Sequence, residues 1–173
     1  SSDPRKVGYA LLSNLLKNNP LIGGRKIYPI TLSEKKILGL PVFSSVLEIK
    51  DQVDLAIIAV RADVVPNILA ECGEKQIKNA IVISSGFKES GNVGKDLEEL
   101  IIKMAREHNI SLLGPNCLGV IDTGNGLNAS FSGREPLPGK LAFLSQSGAL
   151  GTAMIDLCLG EGIGFSKFIS LGN

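Results

Sequence analysis

The sequence predicts an α/β fold built on a doubly wound parallel sheet. Short apolar, β-branched runs alternate with longer segments of helical period, in the order strand, helix, strand, helix. Val53–Val60 is almost continuously apolar, as expected of a strand buried on both faces. Three polar turns, at Ser84–Gly86, Gly114–Asn116 and Ser145–Gly148, each follow directly on such a run. Ligands of parallel sheets bind at the carboxyl ends of the strands, so these turns are the candidate site.

The strand expectations, in order, are Lys26–Ile30, Val53–Val60, Asn79–Ser84, Ser111–Gly114, Leu141–Leu144 and Phe165–Leu171. The first helix is expected over Lys6–Lys17, with Val7, Leu11, Leu12, Leu15 and Leu16 on one side. The second is expected over Asp63–Glu74, with Asp63 as its N-cap. The third is expected over Val93–His108, with Leu97, Leu100, Ile101, Met104 and Ala105 as its apolar stripe. The last is expected over Ser147–Leu159, with Ala149, Leu150, Ala153, Met154, Leu157 and Cys158 inward.

Residues 120–139 are rich in Gly, Pro, Asn and Ser and read as irregular. The expected division is one domain over 1–122, a connection over 123–139 and the start of a second domain over 140–173. A helix opens the chain after only SSDP, so the first strand of the sheet is expected to be missing. The chain stops just after a strand, so it reads as a fragment.

Composition narrows the function. The 18 basic and 17 acidic residues balance to +1 and are spread along the chain, which gives no footprint for nucleic acid. The longest apolar stretches carry glycines and polar residues, so no membrane span is expected. The start of the chain lacks the apolar core of a signal peptide. Cys72, Cys117 and Cys158 are few and far apart, which fits neither a disulfide framework nor a metal site, and points to a reducing cytoplasm. His108 is the only histidine. It reads as a surface residue at a helix C-terminus, and no second histidine is available for a Ser-His or Cys-His pair.

Ser145, Ser147 and Gly148 stand between a strand and a helix, where free N–H groups and the helix dipole favour an anion. A plain serine N-cap is the other reading. Gly114–Pro115–Asn116–Cys117 offers an amide and a thiol at the next strand end, or simply a turn. For Cys117, contact rather than covalent catalysis is expected, since no histidine lies near in sequence to lower its pKa. Ser84–Ser85–Gly86–Phe87 and Arg61–Ala62 either line a ligand or are loops. After Lys26–Ile30 come Thr31 and Leu32, with no acid before Glu34. The ribose-binding carboxylate of nicotinamide and flavin folds is therefore missing from its usual place.

DPRKVGYALLSNLL, VISSGFKE, LLGPNCLGVID, LAFLSQSGALGTAMIDL and FSKFISLGN occur in this order along the chain. GPNCLG together with SQSGALG is a specific combination. Over nearly its whole length the sequence resembles the α part of ADP-forming acetyl-CoA synthetases, relatives of the succinyl-CoA synthetases.

The resemblance implies a Rossmann-like CoA-binding domain followed by the start of a flavodoxin-like domain. It implies a ligase that interconverts acyl-CoA, ADP and phosphate with acid, ATP and CoA. The route runs through an acyl phosphate and a phosphohistidine outside this chain. Lys6, Val7 and Gly8 match a segment near the CoA diphosphate. Ser84, Ser85, Gly86 and Phe87 match a loop lining CoA, and Asn116 and Cys117 match the thiol end. Ser145, Ser147 and Gly148 match the phosphate-holding turn.

Arg61 stands where relatives often carry proline, and is placed to contact a CoA phosphate. ADP or ATP, Mg2+, an ATP-grasp β part and an oligomer are implied through parts outside this chain. The alternative is an acyl-CoA-binding module of a lysine acetyltransferase or regulatory protein. A dinucleotide-dependent oxidoreductase is a third reading.

Overall fold

A computed structural model describes residues 2–17 and 24–173. Along the chain run α1 (Val7–Lys17), β1 (Lys36–Ile37), β2 (Leu40–Pro41), β3 (Ala56–Ile58) and α2 (Val65–Glu74). There follow β4 (Asn79–Val82), α3 (Asn92–Glu107), β5 (Ser111–Leu113), β6 (Gly119–Asp122) and β7 (Leu127–Ser130). The chain closes with β8 (Pro138–Ser145), α4 (Gly148–Gly160) and β9 (Phe165–Ser170).

These elements form two compact units. One holds Tyr28–Cys117 and Asn173; the other holds the described residues up to Ile27 and Leu118–Gly172. Helix α1 packs on β7, where the Asn14 carboxamide donates to the carbonyls of Ser130 (2.9 Å) and Ser132 (3.0 Å).

In the first unit β3, β4 and β5 pair in parallel, in that order. This is the expected Rossmann-like α/β arrangement. Crossovers between neighbouring parallel strands are right-handed as a rule, which puts both helices on one face; α2 and α3 pack against each other. Val65, Leu69 and Cys72 of α2, Val82 of β4 and Ile101 and Ala105 of α3 share the core with Phe87. The strand expected at Val53–Val60 is shorter and less buried than its composition suggests. It is one of the two edge strands of this sheet, and Ala59 and Val60 stay exposed.

The strand expected at Lys26–Ile30 reduces to a single parallel bridge between Ile30 and Phe43. Pro29 has no N–H to donate and can only accept, here from Phe43 N at 3.0 Å. Asp63 is not the N-cap of α2. A 3-10 turn over Ala62–Val64 precedes the helix, and Val64 takes the cap position. The buried stripe of α3 runs through Gly94, Glu98, Ile101 and Ala105, while Leu100 is exposed. Glu98 stands on the inner face because its carboxylate has partners there, Lys88 and Asn173.

In the second unit the sheet order is β7-β6-β9-β8, with β8 and β9 parallel and the other pairs antiparallel. The segment expected to be irregular therefore supplies β6, β7 and the first residues of β8. Phe168 stacks on Phe143 with centroids 5.6 Å apart. Helix α4 buries Gly151, Ile155 and Cys158, whereas Leu150 and Leu157 are exposed. Gly151 lies against the Phe168 ring, which turns this face inward.

Asp122 and Lys167 are register partners on β6 and β9, and their ion pair spans 2.8 Å. Burial raises the proton affinity of Asp122, but hydrogen bonds from Lys167 and Asn125 outweigh it and hold the carboxyl below its ordinary value. Such a carboxyl adds stability above its unfolded-state pKa and loses it as pH falls through the folded value. Lys167→Met should therefore cost about 1 kcal/mol in urea unfolding at neutral pH. The difference from the parent should shrink in acid, below the ordinary aspartate range.

Candidate functional site

The carboxyl ends of β3, β4 and β5 are gathered by Ser84. Its hydroxyl oxygen accepts from Val60 N at 3.1 Å, and its carbonyl accepts from Asn116 N at 2.9 Å. Ser84 is buried while Ser85, one residue on, is exposed. The three loops that follow the strands thus form one edge, with Arg61, Ser85 and Asn116 exposed along it.

The loop after β4 bends at Gly86, whose φ of 105° suits glycine. The Glu89 carboxylate then closes it, accepting from Gly86 N at 2.5 Å and Phe87 N at 3.2 Å. The Phe87 ring is fully buried in the core, so this residue anchors the loop rather than lining a ligand with its side chain.

The loop after β5 begins at Gly114, with a φ of 88°. Cys117 is buried, and its thiol donates to Val82 O at 3.4 Å. The expected contact of this thiol with a ligand is thus not presented at the exposed edge. Cys72, Cys117 and Cys158 are all buried. Burial, with the nearby Glu71 carboxylate, pushes the Cys72 thiol up to about 11.

Asn116 lies on the exposed side, and Asn173 reaches it. Asn173 N donates to Pro115 O at 3.1 Å, and Asn173 Oδ1 accepts from Asn116 Nδ2 at 3.1 Å. Asn173 Nδ2 donates to Glu89 Oε2 at 2.7 Å and to Glu98 Oε2 at 2.9 Å. Glu98 also receives Lys88 N at 3.3 Å and the Lys88 ammonium at 3.5 Å. Glu89, Glu98 and Asn173 escaped sequence reasoning. The run Gly86–Glu89 is a faint signal for Glu89, but Asn173 lies 57 residues beyond Asn116.

Arg61 is exposed, and its guanidinium grips Asp63 through Nε–Oδ1 at 3.0 Å and a second nitrogen at 2.5 Å from Oδ2. Asp63 is the first partner of this cation. His108 is half-buried, not a free surface residue. It caps α3, and its ring lies over Gly73 of α2.

The remaining predicted residues belong to the other unit. Lys6 is exposed just ahead of α1, Val7 opens that helix and Gly8 is half-buried. Ser147 caps α4, its hydroxyl accepting from Leu150 N at 3.2 Å. Ser145 Oγ accepts from Ser147 N at 3.1 Å. The turn is thus pre-shaped by its own hydroxyls at the positive end of α4.

Among the described residues no group of three or more His, Cys, Asp or Glu could hold a metal ion. None of their helices is long and apolar enough to cross a membrane.

A family model for the CoA binding domain matches residues 1–123, and one for the succinyl-CoA ligase like flavodoxin domain matches 138–173. The α subunit of acetate–CoA ligase (ADP-forming) II of Pyrococcus furiosus is 42% identical over the whole of this chain, which spans 37% of that relative. Acetate–CoA ligase (ADP-forming) I of Archaeoglobus fulgidus is 44% identical over 97% of this chain, which spans 24% of that relative. An acetyl-coenzyme A synthetase of Ca. Korarchaeum cryptofilum, solved with phosphate and ADP, superposes with a TM-score of 0.92. It is 40% identical, over 99% of this chain and 36% of that one. The chain belongs to the CoA-binding domain family.

Gly114 is the tightest point of the candidate site. A Cβ there would collide with the Val82 carbonyl and crowd the Cys117 sulfur, at a φ that other residues rarely adopt. Gly114→Ala should cost roughly 2–4 kcal/mol in urea unfolding.

Proposed function

We propose that this chain is the CoA-binding half of the α part of an ADP-forming acyl-CoA ligase. The observation that carries the reading is the edge where the loops after β3, β4 and β5 meet around Ser84. A family match over residues 1–123 supports CoA as the ligand of that edge.

In this reading the pantetheine arm runs along Ser84, Ser85 and Gly86, with Phe87 anchoring their loop from the core. The Asn116 carboxamide contacts the thiol end, and Cys117 packs beneath it. Lys6, with Val7 and Gly8, meets the CoA diphosphate. Arg61 reaches a CoA phosphate by sharing or leaving Asp63. A phosphate held by Ser145, Ser147 and Gly148 attacks the thioester carbonyl carbon. The carbon–sulfur bond breaks, the thiolate of CoA leaves and takes a proton, and an acyl phosphate remains. Fixed N–H donors at the start of α4 stabilise the charge on the transferring phosphoryl group. A histidine outside residues 1–173 takes that group and passes it to ADP. An ATP-grasp β part supplies the nucleotide site, Mg2+ enters with the nucleotide, and the assembly is an oligomer.

Calorimetric titration of the full-length protein should show binding of CoA and acetyl-CoA and none of NAD. Uptake of NAD without CoA would overturn the reading. Ser147→Ala should slow phosphoryl transfer roughly tenfold or more while the KM for CoA barely moves. Equal effects on both would reduce Ser147 to a helix cap.

A further inference from the structure

Two carboxylates decide which way two carboxamides point. Glu89 receives only donors: Gly86 N, Phe87 N and Asn173 Nδ2. Burial raises its proton affinity, yet these hydrogen bonds, Asn173 foremost, hold its carboxyl below the ordinary value. Glu98 likewise receives Lys88 N, the Lys88 ammonium and Asn173 Nδ2. An ionised carboxylate accepts and cannot donate. The Asn173 NH2 group must therefore face the two glutamates, at 2.7 and 2.9 Å. Its Oδ1 is left to face Asn116, which must answer with its own NH2, at 3.1 Å. Asn116 is exposed and sits in a left-handed backbone conformation, with φ 57°. Its backbone N–H is already given to Ser84 O. Its carbonyl oxygen, Oδ1, is thereby turned away from Asn173.

We infer that Glu89, Glu98 and Asn173 are positioning residues that hold Asn116 as a hydrogen-bond acceptor for the pantetheine amide N–H nearest the thiol end of CoA. The inference rests on the CoA reading of this edge and deepens it. Without the relay a terminal carboxamide turns over easily, and half of its orientations present NH2 to a donor. The amide N–H is the stronger candidate donor, since a thiol donates weakly and a thioester not at all. CoA and acyl-CoA therefore share the contact.

The test is a cycle in the full-length protein, read as Kd for CoA and for acetyl-CoA. Asn173→Ala should weaken both by about three- to tenfold, the worth of one hydrogen bond. Asn116→Asp alone should weaken binding, because a carboxylate then meets Asn173 Oδ1. In the Asn173→Ala background the same change should cost clearly less than in the parent, since either carboxylate oxygen can accept. General repulsion between Asp and the CoA phosphates is common to both backgrounds and cancels. Glu89→Gln should weaken CoA binding in the parent and have little effect once Asn173 is Ala.

An equal cost for Asn116→Asp in both backgrounds would overturn the relay while leaving the CoA reading intact. Loss for CoA but not acetyl-CoA would mean that Oδ1 meets the thiol, and would overturn the amide assignment. A parent that binds neither ligand would remove the CoA reading and the relay together. Urea unfolding of each variant separates lost affinity from lost fold.

Discussion

Ser84 stands where three loops must meet, and its two oxygens satisfy a donor from each neighbour. The end of a parallel sheet leaves backbone N–H groups without ladder partners. At this edge one of them, Val60 N, is taken by a hydroxyl rather than by water. Another, Asn116 N, is taken by the Ser84 carbonyl. These two bonds tie the height of each loop to that of the others. The exposed residues on either side, Arg61, Ser85 and Asn116, inherit their positions from this junction.

Around that junction the polar network is built from groups that can play only one part. Glu89 folds back on its own loop, and Glu98 occupies a place on the inner stripe of α3 that an amphipathic pattern would assign to leucine. The desolvation of Glu98 is offset by Lys88 and Asn173. A hydrophobic residue in its place would leave the Asn173 amide without one of its two acceptors. Arg61 has a carboxylate partner already, so any phosphate it meets competes with Asp63. Exposed pairs of this kind are weak and exchange readily.

The second sheet follows the same logic with different parts. Asp122 and Lys167 face each other across β6 and β9, and Asp122 also holds the turn after its strand through Gly124 N and Asn125 N. Phe143, Phe165 and Phe168 supply the bulk that the glycine-rich α4 lacks. Ser145 and Ser147 then shape the turn between β8 and α4 before any ligand arrives. Both readings of these serines, helix cap and anion cradle, use the same geometry. A cap fixes the N–H groups that an anion would meet.

The sequence by itself determined the α/β class, the four helices to within a residue or two, and the strands of the parallel sheet. Their signals are local: apolar period, β-branched runs and turn residues. It also singled out the three polar turns, because Ser, Gly, Pro and Asn directly after a strand are legible without any tertiary information. Only the tertiary structure decided that Val53–Val60 lies at an edge, that residues 119–130 form a hairpin, and that Lys26–Ile30 is one bridge. Strand pairing depends on neighbours far away in the chain. Tertiary structure alone likewise buried Cys117 and Phe87 and brought Asn173 to Asn116, Glu89 and Glu98. Hydrogen bonds between residues 57 to 84 positions apart leave no periodic trace in a sequence. Which side chains face inward, and which way a carboxamide points, is settled by the partners the fold supplies.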